Sequence, residues 1–304
     1  MKKVLSVLTA IALSSVAFAQ GNISQDMLNR LQQKGQLSAS ERALRNGLAS
    51  NDIRTFAVNQ ENQGEQNTYF SNSVPSKGIT DQKSSGRCWL FTGLNVLRSK
   101  MINQKKLDEL EFSQVYLFFY DQLEKSNLFL QAIIDTHKRP MEDKTVEWLF
   151  KHPLSDGGTF TGVADLVSKY GLVPSGVMPE TFASNNTSRF RSLLVRKLRE
   201  DGLLLREAAK NKKGGEVQKM KEDMLAEIYH VLVLGYGQPP KEFVWAPKNS
   251  KGQYTEKPRT FTPQQFYQEM IGDDLVNNYI MLMNDPTREY WKTYEIEYDR
   301  HTYD

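Results

Sequence analysis

Apolar positions recur every three or four residues through most of this chain and shift to alternation only near its end. Residues 20–50 read as amphipathic helix, and Ser38 with Glu41 three places on makes a capping box that opens SASERALRNGLAS. Residues 51–73 are rich in Asn, Gln and Ser, show no period, and predict a polar extended linker. From 86 to 102 the helical period returns, with Leu90, Leu94, Leu97 and Met101 on one face. A second helix is expected from Ser113, with Phe112 and Leu117 as a hydrophobic staple and an apolar, aromatic body up to Leu130. Residues 140–180 mix short helices with the turn-rich pieces SDGGTF and YGLVPSGVMPE.

Residues 189–224 are helical and charged, with Lys212-Lys213-Gly214-Gly215 as the break. Basic residues outnumber acidic ones there, and the plain expectation is a solvated helical hairpin; a subunit contact or the wall of a basic cavity is the sharper one. Strands come late. PPKEFVWAPKN holds a short aromatic strand, and Thr262-Pro263-Gln264-Gln265 starts a helix with a cap, a first-turn proline and a capping-box partner. YIMLMND (279–285) reads as an apolar strand and TYEIEY (293–298) as a half-buried one. Helices first and strands late make an α+β chain.

The ends and the charge narrow the function. MKK, the apolar run VLSVLTAIAL and the small-x-small box Ala17-Phe18-Ala19 predict a secretory signal over 1–19, cut after Ala19, and hence a periplasmic or secreted protein. The apolar run is too short to span a bilayer comfortably, and no later segment is long and apolar enough for a membrane helix. Losing Lys2 and Lys3 takes 39 basic residues to 37 against 36 acidic ones, a net charge of +1, so charge gives no argument for nucleic acid or membrane partners. The chain has one cysteine, Cys88, in DQKSSGRCWLF. Oxidising compartments use cysteines in pairs, so an odd one is either a buried small apolar residue or a reactive thiol.

Its setting would suit chemistry as well as packing. Cys88 follows Ser84-Ser85-Gly86 at the expected first turn of the Leu90/Leu94/Leu97 helix, where unpaired N–H groups and the helix dipole stabilise an anion. The small residues before it leave room for a substrate, Trp89 would shield the site, and the Gln82 amide would donate to an oxyanion formed beside the sulfur. No H-E-x-x-H, Cys/His ligand cluster, G-x-x-x-x-G-K-[ST] or G-x-S-x-G occurs, so no metal and no cofactor is implied.

Gln82-x5-Cys88-Trp89 resembles the signature of papain-like cysteine peptidases, whose extra cysteine before the nucleophile is Ser85 here, so the disulfide of papain itself has no counterpart. The string VPSKGITDQKSSGRCWLFTGLNVLRSKM (74–101) is similar to one branch, bleomycin hydrolase, called aminopeptidase C in bacteria. EFSQVYLFFYDQLEKSNLFL, SDGGTF, YGLVP and MPET resemble that family in the same order, from about 70 to 300. The resemblance implies a papain-like fold, with a helical half bearing the nucleophile and a β-rich half bearing the base. The chain then divides into the signal (1–19), a helical arm and linker (20–73) and an incomplete peptidase domain (74–304), with the 189–224 stretch as its insertion and as the candidate for subunit contacts.

By the same resemblance Cys88 attacks the scissile carbonyl, and Gln82 with the Cys88 N–H forms the oxyanion hole. Gly157 and Gly158 match the double glycine that takes an extended peptide through its backbone. Family members are aminopeptidases assembled as homo-hexamers, and the members in view are cytosolic, a habit from which an exported chain departs. The family's catalytic histidine and asparagine come late, beyond the region matched here. None of His137, His152, His230 and His301 has the family's histidine context. Two expectations therefore stand together: a cysteine-type aminopeptidase acting on peptides, or an inactive, peptide-binding papain-like fragment.

Overall fold

The computed structural model describes residues 22–294 apart from 63, 65, 66, 77, 109 and 250. The expected signal segment, His301 and most of TYEIEY lie outside the described residues. The chain divides between Ser71 and Asn72 into two compact units.

The first unit holds three helices, α1 (Gln25–Lys34), α2 (Ala39–Leu48) and α3 (Ile53–Ala57). Their caps are local. Ser24 accepts from Met27 N, and Ser38 and Glu41 form the expected capping box. Asp52 accepts from Arg54 N and pairs with the Arg54 guanidinium, which makes a short helix where the sequence suggested extended linker. The signal was a single cap, too short to show as a period. None of the three helices buries a residue, and Leu28, Leu31, Leu44 and Leu48 are exposed.

The second unit is built around α5 (Gln114–Asp135), introduced by α4 (Cys88–Lys105). Ser113 caps α5 by accepting from Tyr116 N, while its hydroxyl donates to Met178 O at 2.6 Å. Val115, Leu117, Phe118, Phe119, Leu130 and Ile133 of α5 are fully buried or nearly so. Each such side chain contributes about 1.5–3 kcal/mol by leaving water. Around it run α6 (Lys144–Lys151), α7 (Phe160–Tyr170), α8 (Phe182–Asn185), α9 (Thr187–Asn211) and α10 (Gly214–Tyr236). Helices α9 and α10 pack against α5 and against each other, and α7 packs against both α4 and α5. On α4 the predicted face of Leu90, Leu94, Leu97 and Met101 is buried. Gly93 lets α7 come close, since a Cβ there would lie 2.7 Å from Val163 Cγ2.

The charged stretch is not a solvated hairpin. Leu194, Leu198 and Leu205 of α9, and Val217 and Met224 of α10, belong to the core. Their spacing of four and seven is a helical face that the density of Lys, Arg and Glu conceals. Most of the charges sit on the outer sides, while Asp201, Arg206 and Lys221 are buried, and Lys197 bridges Asp201 of its own helix at 2.8 Å and Glu227 of α10 at 2.6 Å.

Strands are few among the described residues. β1 (Phe243–Trp245) pairs antiparallel with β2 (Arg259–Phe261), Phe243 opposite Phe261, and α11 (Pro263–Met270) follows with the predicted capping box of Thr262 and Gln265. Residues 279–285 form no strand, and Ile280, Met281, Leu282 and Met283 are exposed. An extended run becomes a strand only with a neighbour to take its hydrogen bonds, and no described segment pairs with it. No described helix is long and apolar enough to cross a membrane.

Candidate active site

Cys88 is the first residue of α4 and is exposed. Arg87 occupies the cap position without a side-chain cap, and Phe91 N is the first amide to reach back, to Arg87 O at 3.0 Å. The N–H groups of Cys88, Trp89 and Leu90 therefore have no intrahelical acceptor. A thiolate, or an oxygen that gains charge next to it, faces the positive end of a helix whose remaining length is anchored in the core.

The turn before it is held by reciprocal bonds. Gln82 Nε2 donates to Ser85 O at 2.8 Å, and Ser85 Oγ donates to Gln82 O at 2.6 Å. Lys83 between them has φ of 54°, the left-handed region that a lysine adopts only when its surroundings require it. The Gln82 amide spends one N–H on this turn and keeps a second donor. Arg87 is fully buried, donates to Ser85 Oγ at 3.1 Å, and pairs with Glu180 at 2.8 Å. Burial lowers its proton affinity and the Glu180 charge raises it, the first being the larger. Glu180 also accepts from Val115 N at 3.1 Å and from Ser184 Oγ at 2.6 Å, so the pair joins the nucleophile turn to the start of α5.

The 155–158 loop lies against this turn. Trp89 is buried and its indole Nε1 donates to Asp156 O at 2.9 Å. Lys125 Nζ donates to Gly157 O at 2.6 Å and sits 5.3 Å above the Trp89 ring, while Gln122 Nε2 donates to Ser155 O at 3.1 Å. The two glycines differ. A Cβ on Gly158 would lie 2.7 Å from the Trp89 ring, whereas one on Gly157 would meet only Ser155 Oγ at 3.5 Å. Gly158 is thus required by packing inside the protein, and Gly157 leaves open surface beside the loop.

Sequence reasoning named Cys88, Gln82, Trp89, Gly157 and Gly158, and the structure brings the loop of 155–158 onto Trp89 next to Cys88. It did not name Arg87, Glu180, Asp156, Thr187 or Lys125. Arg87 carried a signal, being a charge immediately before an apolar helix; Asp156, Glu180 and Lys125 lie inside the blocks SDGGTF, MPET and EFSQVYLFFYDQLEKSNLFL, and only Thr187 lies in no such block. Among the described residues no histidine hydrogen-bonds Cys88. His137 Nδ1 lies 2.6 Å from Ile134 O, the His152 ring is beside Trp148, and His230 is exposed on α10. Nor, among the described residues, is there a cluster of His, Cys, Asp or Glu that would hold a metal ion.

Residues 22–303 match the Peptidase C1-like family. The chain is 34% identical over 278 residues to an Aminopeptidase C of Lactococcus lactis subsp. lactis, covering 91% of this chain and 62% of that protein. It is 34% identical to an Aminopeptidase C of Listeria monocytogenes (89% and 60%) and 37% identical to an Aminopeptidase E of Lactobacillus helveticus (78% and 54%). The crystal structure of PepW from Lactobacillus rhamnosis HN001 superposes with a TM-score of 0.77 at 33% identity, over 84% of this chain and 57% of that one. The α+β, papain-like fold expected from the sequence holds. The chain spans 54–62% of the length of these curated relatives.

Proposed function

The chain belongs to the Peptidase C1-like family, and from that premise we propose that it supplies the nucleophile of a cysteine aminopeptidase of the bleomycin hydrolase kind. Cys88 carries the reading: an exposed sulfur on the uncapped first turn of a buried helix. In the proposed reaction the Cys88 thiolate adds to the scissile carbonyl, and the carbonyl electron pair moves to oxygen. The Cys88 N–H and the free N–H of Gln82 stabilise that oxyanion. Its collapse expels the leaving amine, which takes its proton from the catalytic histidine that the family resemblance implies and that none of this chain's four histidines matches, and water then releases the acyl group from sulfur. The substrate peptide lies along Gly157, where the Ser155 hydroxyl is the one side-chain atom close to the open position. Export through residues 1–19 and assembly as a homo-oligomer, a hexamer on the family pattern, belong to the same proposal; a mature chain beginning at Gln20 would support the first.

Replacing Cys88 by Ala is expected to abolish peptide release, and continued release by Cys88→Ala would overturn the proposal. A second reading, peptide binding without turnover, draws on the engagement of His137 and His152 elsewhere. The rate of Cys88 alkylation by iodoacetamide against pH separates the two. A thiolate held by imidazolium reacts fast already at pH about 5, whereas a thiol without that partner gains speed only toward pH about 8.5. The first profile supports catalysis and the second supports binding alone.

A further inference from the structure

Asp156 touches the nucleophile turn from both sides. Its backbone oxygen accepts from Trp89 Nε1 at 2.9 Å, one residue after Cys88. Its carboxylate fills the space that Gly86 leaves by having no side chain: a Cβ on Gly86 would overlap the Asp156 carboxylate. Between the two stands Thr187, the first residue of α9, whose buried hydroxyl donates to Asp156 Oδ2 at 2.8 Å and accepts from Gly86 N at 3.1 Å. Arg191 Nε, one turn along α9, is 3.8 Å from Asp156 Oδ1.

The order of donors follows from chemistry. An ionised carboxylate only accepts, so the Thr187 O–H must point at Asp156 and its lone pair must face the Gly86 N–H. The Gly86 peptide plane is thereby fixed two residues before the sulfur, and with it the direction of the amides that open α4. We infer that Asp156, acting through Thr187, is a positioning residue that sets the oxyanion-binding turn around Cys88. An asparagine would keep the shape and lose the charge. Turned with its N–H₂ toward Thr187 it would compete with Gly86 for the same lone pairs, and turned with its oxygen toward Thr187 it would hold the hydroxyl by a weaker, neutral bond. The inference rests on the reading of Cys88 as nucleophile, and the Asp156–Thr187–Gly86 geometry is its own support.

Two reagents separate positioning from mere support of the fold. A peptide aldehyde adds the Cys88 S–H across its C=O: the S–C bond forms, the C=O pair moves to oxygen, and the oxygen takes the thiol proton or rests as an oxyanion in the turn. Iodoacetamide forms an S–C bond with loss of iodide and the thiol proton and develops no oxyanion. Asp156→Asn and Thr187→Val are expected to weaken aldehyde binding by about tenfold or more while changing the alkylation rate less than about twofold, and Thr187→Ser is expected to match the parent. Equal losses with both reagents would overturn the inference, as would no loss with either. If Asp156→Asn does not fold, Thr187→Val against Thr187→Ser decides by the same criterion. A parent chain that forms no aldehyde adduct would bring down the nucleophile reading and this inference with it; a parent that binds while the variants bind equally brings down this inference alone.

Discussion

Side chains packed on the turn before the sulfur determine what surrounds it, and they answer differently to substitution. Gly157→Ala is expected to leave the melting temperature within a degree or two, because its Cβ enters open space, and to weaken a bound extended peptide that needs that space. Gly158→Ala must push the Trp89 ring or the loop aside, so it is expected to destabilise by about 1–3 kcal/mol in thermal unfolding. Equal melting temperatures for the two variants would contradict the packing described. Glu180→Gln leaves the Arg87 guanidinium fully buried without its counter-charge and is expected to cost about 3–5 kcal/mol in denaturant unfolding. Cys88 and Gln82 were legible in the sequence because seven consecutive positions contain both. The Asp156–Thr187–Gly86 tie was not, since its two hydrogen bonds span 31 and 101 positions and no local pattern records them.

Elements were legible where one period dominated. Helix α4 and the capping boxes of α2 and α11 follow from apolar spacing and from three-residue offsets. Where two patterns overlapped, the louder one misled: charge hid the apolar face of α9, and hydrophobicity at 279–285 suggested a strand although no described neighbour pairs with it. The same helix α9 carries a pH signature. Asp201 is almost fully buried, and desolvation raises its pKa above 3.8 despite the Lys197 ammonium beside it. The folded chain thus holds this proton more tightly than the unfolded one. The stability that follows is complete below pH about 3.8 and is lost as pH rises through the raised value. Asp201→Asn is therefore expected to raise the melting temperature at pH 7 by a few degrees, about 1 kcal/mol, with Lys197 keeping its bridge to Glu227. The gain should shrink at pH 3.5; a gain independent of pH would show that the carboxylate is not the cause.

On the scale of the molecule, the two units differ in what holds them. The second encloses a core that runs through α4, α5, α7, α9 and α10. The helices of the first bury no residue, so little beyond caps, turns and the Phe56 ring against Gly47 resists their opening. Segments of that kind open at little cost. Brief digestion with a broad-specificity protease is expected to cut within 22–71 before it cuts within the helices of 88–236, and mass spectrometry of the first fragments would check this. First cuts inside α5 or α9 would refute it.

The tie between the Gly86 turn and the 155–158 loop also bears on how such a sequence can change over generations. A hydroxyl, a carboxylate and a peptide amide make it. Each side chain has a near neighbour, Ser for Thr or Glu for Asp, so the tie can drift by single substitutions without leaving a new reactive group behind. A disulfide in that place requires two changes at once. Every halfway sequence would carry a spare thiol near Cys88, and an external disulfide could join the two, the spare thiol displacing the reduced leaving thiol of a mixed disulfide formed on Cys88. Holding the turn by hydrogen bonds keeps the route between neighbouring sequences free of that trap.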